Sequence, residues 1–437
     1  MSQQMGRREM VAAAMAVPRS VLGGRGVAAP SDKLVIAGVG VGGVGQSYLK
    51  GCASEKIAVL CDVDLNYAAK TFATYPAAKV YQDYRVMLEK EKGIDAVVIG
   101  TPDHTHAQIA LAALELGKHV YCAKPMTRTV VEARKLKEMA AEKKLATQMS
   151  VQTCGSDDSL TTVEWVRAGA VGRVQRVDVW NDRPLWPQDL ARPKEQVPVP
   201  SGLNWDLWLG NAPKRPYHPL YHPFNFRGWV DFGTGALGDM GCHTLHVIAL
   251  ALELGAPISV EASRSLVKVF AESGQGDLSW TRSRTARHAE TFPHASMVTW
   301  RFRKAGGVLP VTWYDGGLKP PKPEGWERSK PLPDSGILFH GEKGVLWSGF
   351  TGRPRMLGER EFAAPPKTLK RTEEHYQEWI TAAKGGPAGA CEFGFGAYLT
   401  ELTLLGAVAQ RTGRYLDWDS AAMKFPGDEE ATAMLRG

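Results

Sequence analysis

Cysteine is scarce and scattered in this chain. Cys52, Cys61, Cys122, Cys154, Cys242 and Cys391 are spread over 437 residues with no C-x-x-C pair and no Cys/His cluster. That spacing indicates neither a structural zinc site nor a disulfide framework. No uninterrupted apolar run reaches the roughly 18 residues that a membrane-spanning helix needs. Charge of one sign is not concentrated either: 53 Lys and Arg oppose 46 Asp and Glu, a net +7. Arg7, Arg8, Arg19 and Arg25 against Glu9 supply +3 of that excess, which leaves +4 for everything after residue 30. Without a basic stripe or a nucleic-acid-binding signature, nucleic acid is not an expected partner. What is present is the material of globular cores, 44% hydrophobic, 9% aromatic and 23% charged residues. Single cores stop growing beyond roughly 250 to 300 residues, so two domains are expected.

Residues 1–30 combine adjacent arginines, a short apolar stretch over residues 10–17 and small residues before Ser31. They resemble a twin-arginine export signal, although Arg19 interrupts the apolar region and Val27-Ala28-Ala29 only loosely matches an A-x-A cleavage site. Periplasmic export is the expectation, and a basic leader on a cytoplasmic protein is the alternative. Either way the segment is set apart from the fold.

From residue 31 to about 150 the pattern is that of a dinucleotide domain. An apolar run over residues 34–39 leads into Gly38-Val39-Gly40-Val41-Gly42-Gly43, after which residues 44–50 continue as a helix. Gly38, Gly40 and Gly43 fit G-x-G-x-x-G, in which missing Cβ atoms permit a tight turn, a close pyrophosphate, and close packing of helix on strand. A second apolar run over residues 57–61 ends at Asp62, placed to accept hydrogen bonds from the adenosine ribose and to repel a 2′-phosphate. NAD rather than NADP is the expected cofactor. Strand and helix patterns keep alternating to residue 151, which predicts a parallel, doubly wound sheet. Ligands of such sheets sit beyond the carboxyl ends of the strands, so Thr101, Pro102 and His106, and then Lys124 and Pro125, are expected at the cofactor cleft.

The order of motifs, A-G-V-G-V-G-G, C-D-V-D, T-P-D-H-T-H-A and G-K-H-V-Y-C-A-K-P, resembles the Gfo/Idh/MocA oxidoreductase family. The likeness continues through E-W-V-R-A-G-A-V-G-R-V, W-D-L-W-L-G, R-G-W-V-D-F-G-T-G-A-L-G-D-M-G-C-H and L-L-G-A-V-A-Q-R-T-G. It implies a Rossmann domain joined to an α+β domain with a large open, mostly antiparallel sheet, and a cis Lys124-Pro125 bond. One departure stands out. Ala123 replaces the glutamate of the family's E-K-P signature, which removes a carboxylate partner for Lys124.

All 13 tryptophans lie at or after Trp165, a shift in composition that puts the domain boundary near residue 150. Residues 151–437 are therefore read as a substrate-binding and oligomerisation domain. Most of these tryptophans are expected to pack the sheet or a subunit interface, and the open sheet makes a homo-oligomer the expectation. The richest segment is G-D-M-G-C-H-T-L-H. Asp239 and His243 stand four apart, so on a helix they share a face and the carboxylate can orient the imidazole for proton transfer. The family's D-x-G-x-H motif implies the same role for His243. Asp239, His243 and His246 are also a conceivable metal set, but no companion ligands are visible and no metal is expected. His243 is assigned as base, Lys124 as the cation that stabilises a developing alkoxide, and Asp239 as orienting partner; the roles of His243 and Lys124 are exchangeable. Arg183 and Trp186, with Tyr217, Tyr221 and His222, are candidate sugar contacts because they stand in proline-rich loops.

Three functions fit these readings. The first is an NAD-dependent oxidoreductase acting on a ring hydroxyl of a sugar, glycoside or cyclitol, with cofactor recycled in the site if the protein is exported. The second is an NAD-dependent glycoside hydrolase that oxidises transiently, eliminates, hydrates and reduces. The third is a non-catalytic dinucleotide sensor, which Ala123 keeps open.

Overall fold

A computed structural model describes residues 32–270, 283–286, 290–350, 353–358, 362–372 and 374–437. The expected export leader, residues 1–30, lies outside the described residues.

The first sheet is wholly parallel, with strands ordered β3-β2-β1-β4-β5-β6. Its strands are β1 Val35–Val39, β2 Lys56–Cys61, β3 Lys79–Tyr81, β4 Ala96–Ile99, β5 His119–Cys122 and β6 Thr147–Met149. Between them run α1 Val44–Gly51, α2 Ala69–Thr74, α3 Tyr84–Lys90, α4 Asp103–Glu115 and α5 Val130–Glu142. This is the doubly wound order whose halves diverge between β1 and β4, and a cleft opens there above the strand ends. Central β4 is buried at every position, as a strand covered on both faces must be, whereas edge strand β3 is largely exposed.

α6, Asp157–Arg167, leads into the second domain. There β7 Val174–Trp180 is followed by α7 Trp205–Leu209, the long helix α8 Gly235–Leu252, and β8 Ser259–Arg264. β9 Val267–Phe270 and β10 Ser283–Ala286 form a separate hairpin. The large sheet is completed by β11 Ser296–Lys304, β12 Gly307–Tyr314, β13 Gly336–Gly341, β14 Gly344–Ser348, β15 Arg355–Met356 and, after α9 His375–Ala383 and α10 Phe393–Thr412, by β16 Leu416–Asp417. Its eight strands run β15-β14-β13-β7-β12-β11-β8-β16, antiparallel except for the β7–β12 pair. The expected fold class is borne out.

Alternation along β11 explains how the sheet is covered. Val298, Trp300 and Phe302 are buried, and the Trp300 indole N–H donates to Leu402 O of α10 at 3.0 Å. The opposite face carries a polar ladder in which Thr299 meets Thr312 at 3.0 Å and Arg301 pairs with Glu261 at 2.6 Å. α8 packs between α6 and α10. By length and composition α8 is apolar enough to cross a membrane, although Asp239, His243 and His246 interrupt any continuous apolar run in it. Here, however, it is mostly buried as a core helix of the second domain.

Candidate active site

The glycine turn between β1 and α1 has the shape a pyrophosphate requires. Gly40 has φ +75°, and a Cβ there would stand 2.6 Å from the Thr101 backbone nitrogen. Gly43 is the N-cap of α1 and supplies no side-chain cap, which leaves the first amide N–H groups of the helix to face an anion. The tight helix-on-strand contact expected at Gly43 belongs to Gly45. A Cβ on Gly45 would overlap the Gly40 carbonyl oxygen, whereas one on Gly43 would meet only the Tyr67 hydroxyl, at 3.1 Å. The overlapping run Gly40-Val41-Gly42-Gly43-Val44-Gly45 also reads G-x-G-x-x-G and carried that signal in the sequence.

Asp62 follows β2 directly and is buried. Its Oδ2 accepts from the Val41 and Gly42 N–H groups at 2.7 and 2.9 Å, and its Oδ1 from Asp64 N–H at 3.0 Å. Burial pushes its carboxyl up to about 6 against the pull of these donors. The cleft above it has a volume of about 370 Å³ and is lined by Gly40, Gly43, Asp62, Thr101 and Pro102, among others. A glycine cradle, a free helix N-terminus and an acid at the end of β2 together fit NAD.

His106 is fully buried and does not line this cleft. It is a strut: Nδ1 lies 2.8 Å from Pro125 O and Nε2 2.8 Å from Thr101 O, which ties the loops after β4 and β5 together. Pro125 accordingly contributes its carbonyl to that strut rather than a wall to the cleft. Two neighbours on α4 reach into the second domain. Asp103 accepts from Thr234 Oγ1 at 2.6 Å, just before α8, and the His104 ring lies 2.8 Å from Trp208 O and 3.2 Å from Phe232 O.

Lys124 follows β5, and its bond to Pro125 is cis. Its backbone N–H donates to Ser150 Oγ at 3.1 Å, and its ammonium donates to Asp239 Oδ1 of α8 at 2.7 Å. The same carboxylate oxygen accepts from Arg227 Nε at 3.1 Å. Arg227 was not singled out from the sequence, yet it both lines the cleft and closes this cluster. Its guanidinium lies 4.5 Å from the Phe224 ring centre and 4.6 Å from that of Phe226. The only sequence signal was its place at the head of R-G-W-V-D-F-G-T-G. Burial would raise the Asp239 carboxyl, but Lys124 and Arg227 hold it well below the usual carboxylate range. The carboxylate absent at position 123 is thus supplied to Lys124 from α8.

The expectation that Asp239 orients the His243 imidazole is corrected. Asp239 is taken by the two cations, and His243 Nδ1 is buried without a partner. Burial, then the Lys124 charge, push His243 well below its ordinary value, so the imidazole is neutral. A neutral imidazole beside a fixed ammonium can accept a proton while the ammonium faces a developing negative charge. His246 follows one turn beyond His243 on α8, with Nε2 3.3 Å from Ser159 Oγ. Among the described residues no group of three His, Cys, Asp or Glu side chains is placed to hold a metal ion.

The candidate sugar contacts are redistributed. Tyr217 and Tyr221 are core residues, packed with Trp205, Trp208, Trp229 and Phe232. His222 lines the dinucleotide cleft instead, with Nε2 2.9 Å from Asp64 Oδ2. Trp186 is buried, donating to Gln188 Oε1 at 2.9 Å with its ring 5.6 Å from the Arg227 guanidinium carbon. Arg183 pairs with its neighbour Asp182 at 2.6 Å. Proline-rich loops looked like a sugar surface, but their aromatic residues have enough apolar area to be drawn into the core.

Fold and site together define a two-domain α/β protein with an NAD-binding cleft and a Lys-Asp-His group beside it. Residues 33–151 match the oxidoreductase family Gfo/Idh/MocA, NAD-binding Rossmann fold, and residues 174–269 match that family's C-terminal alpha/beta domain. Parts of the chain thus match models of both domains of the Gfo/Idh/MocA oxidoreductases. The chain is 32% identical over 183 residues to the uncharacterized oxidoreductase YdgJ of Escherichia coli, covering 40% of this chain and 51% of that protein. It is 28% identical over 187 residues to levoglucosan dehydrogenase of Pseudarthrobacter phenanthrenivorans, covering 43% of this chain and 40% of the relative. The match thus spans about half or less of these relatives. Among solved structures, the WlbA dehydrogenase of Bordetella pertussis with NADH and UDP-GlcNAcA superposes with TM-score 0.60 at 18% identity, over 89% of this chain and 99% of that one. An inositol dehydrogenase homolog from Azotobacter vinelandii with NADH and myo-inositol gives 0.56 at 17% identity, over 88% and 98%. At these identities the likeness is one of fold.

Proposed function

We propose that the protein is an NAD-dependent oxidoreductase that oxidises a secondary hydroxyl on the ring of a sugar, glycoside or cyclitol. The observation that carries this reading is the Lys124 ammonium, fixed 2.7 Å from Asp239 Oδ1, with the neutral His243 imidazole one helical turn further along α8. Relatives named levoglucosan dehydrogenase and inositol 2-dehydrogenase support the substrate class.

The glycine turn and Asp62 would hold NAD, which supplies the hydride acceptor. The protein's own residues do the rest. His243 takes the hydroxyl proton, Lys124 orients the hydroxyl oxygen and stabilises negative charge developing there, and Asp239 positions Lys124 and Arg227. Twin-arginine export of residues 1–30, and homo-oligomerisation through the open face of the large sheet, belong to the same proposal.

The test is turnover with NAD on a panel of cyclitols, free sugars and glycosides, with product analysis. A keto-sugar or ketocyclitol product supports the reading. Free sugar released from a glycoside, with no net NADH, would move the assignment to the hydrolase that uses the same residues.

A further inference from the structure

Lys124, Asp239 and His243 each have a part in the proposed reaction, but Arg227 has none, although the fold fixes it in place. It stands in a short 3₁₀ turn, Asn225–Gly228, ahead of α8. Close backbone approach pins that turn: a Cβ on Gly233 would lie 2.5 Å from Arg227 Cα. The guanidinium is stacked 4.5 and 4.6 Å from the ring centres of Phe224 and Phe226. Of its five N–H donors, Nε serves Asp239 Oδ1 at 3.1 Å, and one on Nη1 serves Phe224 O at 3.1 Å. Nη2 has no hydrogen-bond partner among the described residues, and the side chain, 19% exposed, lines the cleft.

The charges around it do not balance. Lys124 and Arg227 reach the same Asp239 oxygen, so two positive charges share one negative, and His243 beside them is neutral. Asp103 is buried and accepts from Thr234 Oγ1 at 2.6 Å, and burial pushes its carboxyl up, toward the neutral form. Excess charge in an enclosed site is costly unless an anion meets it. A guanidinium edge with unpaired donors suits a carboxylate in particular, since two N–H groups can meet two oxygens in one plane.

We propose that Arg227 seats the carboxylate of an acidic sugar, so that uronic acids and their glycosides are taken in preference to neutral sugars. The inference rests on the oxidoreductase reading, in which Lys124 holds the reacting hydroxyl. Arg227 and Lys124 meet at one carboxylate oxygen and so lie within the width of a sugar ring, which lets a hydroxyl and a carboxylate of one molecule reach both cations. The pyrophosphate of NAD is the other oxyanion that enters the cleft, and the glycine turn with the first amides of α1 is there to receive it.

Substrates that differ only at C6 test this on the full-length protein: glucuronate against glucose, galacturonate against galactose, and the methyl glycosides of each. With NAD, the wild-type protein should oxidise the acid of a pair with kcat/KM roughly 10²-fold above its neutral partner. In calorimetric titration of the protein with NADH bound, the acid should also bind more tightly by a similar factor. Arg227→Gln should bring both ratios close to one, and Arg227→Lys, which keeps the charge but not the fork, should retain part of the preference. Affinity for NAD and for ADP-ribose should hold in both variants. A wild-type protein that binds and oxidises the neutral sugar as well as the acid would overturn the proposal and leave the oxidoreductase reading standing, and that comparison needs no variant. Loss of ADP-ribose affinity in Arg227→Gln, with the preference for the acid intact, would assign Arg227 to the pyrophosphate and overturn the proposal likewise. Acid that binds through Arg227 and is never oxidised would support the carboxylate seat and remove the oxidoreductase reading instead.

Discussion

Asp239 holds the site together, and its removal has a magnitude that the geometry sets. One carboxylate oxygen accepts from Lys124 at 2.7 Å and from Arg227 at 3.1 Å. At an effective dielectric near 20, unit charges at those distances attract by about 6 and about 5 kcal/mol. Desolvation of the three groups offsets much of this, so the better guide is the roughly 3 to 5 kcal/mol lost when one partner of a buried pair is removed and the other is left uncompensated. In Asp239→Asn two cations remain with only a neutral amide between them, and they repel. Unfolding entropy per residue converts that loss to a melting temperature lower by roughly 3 to 5 °C in a chain of this size. Turnover should fall further than stability implies, by about 10²- to 10³-fold, because the Lys124 ammonium is no longer held where charge develops. Differential scanning calorimetry and steady-state kinetics on the same preparation read both effects. An Asp239→Asn variant with wild-type melting and wild-type kcat would refute the reasoning.

Asp62 predicts tighter binding of NAD than of NADP. Its carboxyl titrates at about 6, and only the ionised form accepts two ribose hydroxyls, so NAD affinity should weaken as pH falls through 6 and Asp62→Asn should flatten the profile; calorimetric titration checks both. Gly45→Ala would drive a methyl group into the Gly40 carbonyl, and nucleotide binding should be lost with about 1 to 3 kcal/mol of stability, read by titration and thermal melting. Arg371 grips Glu164 through both carboxylate oxygens and, with the Leu369 and Thr368 N–H groups, holds its carboxyl down to about 2. A depressed carboxyl stabilises the fold above its unfolded pKa near 4.3 and loses that contribution as pH falls toward 2. Glu164→Gln should therefore cost roughly 3 kcal/mol near pH 7 and much less at pH 3, by denaturant titration at both. A fusion of residues 1–30 to a reporter should reach the periplasm, and Arg7→Lys with Arg8→Lys should retain it in the cytoplasm, as cell fractionation would show.

The strands of the first domain were legible because central parallel strands are nearly continuous apolar runs, as at residues 96–99 and 119–122. α2 and β3 were not, because their residues are mostly exposed and carry little hydrophobic period. α4 begins at Asp103, earlier than the apolar pattern suggests, because its first turn is buried through polar bonds to Thr234, Trp208 and Phe232. The spacing of Asp239 and His243 revealed a helix face but not the partner Asp239 would choose. That choice depends on Lys124, 115 residues away, and on an arginine carried by a short turn before α8. The aromatic loops misled for a related reason: residue type suggests what a side chain can stack on, but only the fold shows whether Tyr217 and Tyr221 face solvent or the core.

The most direct test of the account separates cofactor binding from chemistry at Lys124 and His243. Lys124→Ala and His243→Ala should each bind NAD as wild type does in calorimetric titration. Given whichever polyol or glycoside the wild-type protein oxidises, each should lose at least about 10²-fold in the single-turnover rate of NADH formation. Near-wild-type single-turnover rates in either variant, with NAD bound, would contradict the assignment of the Lys124-Asp239-His243 group as the reacting centre.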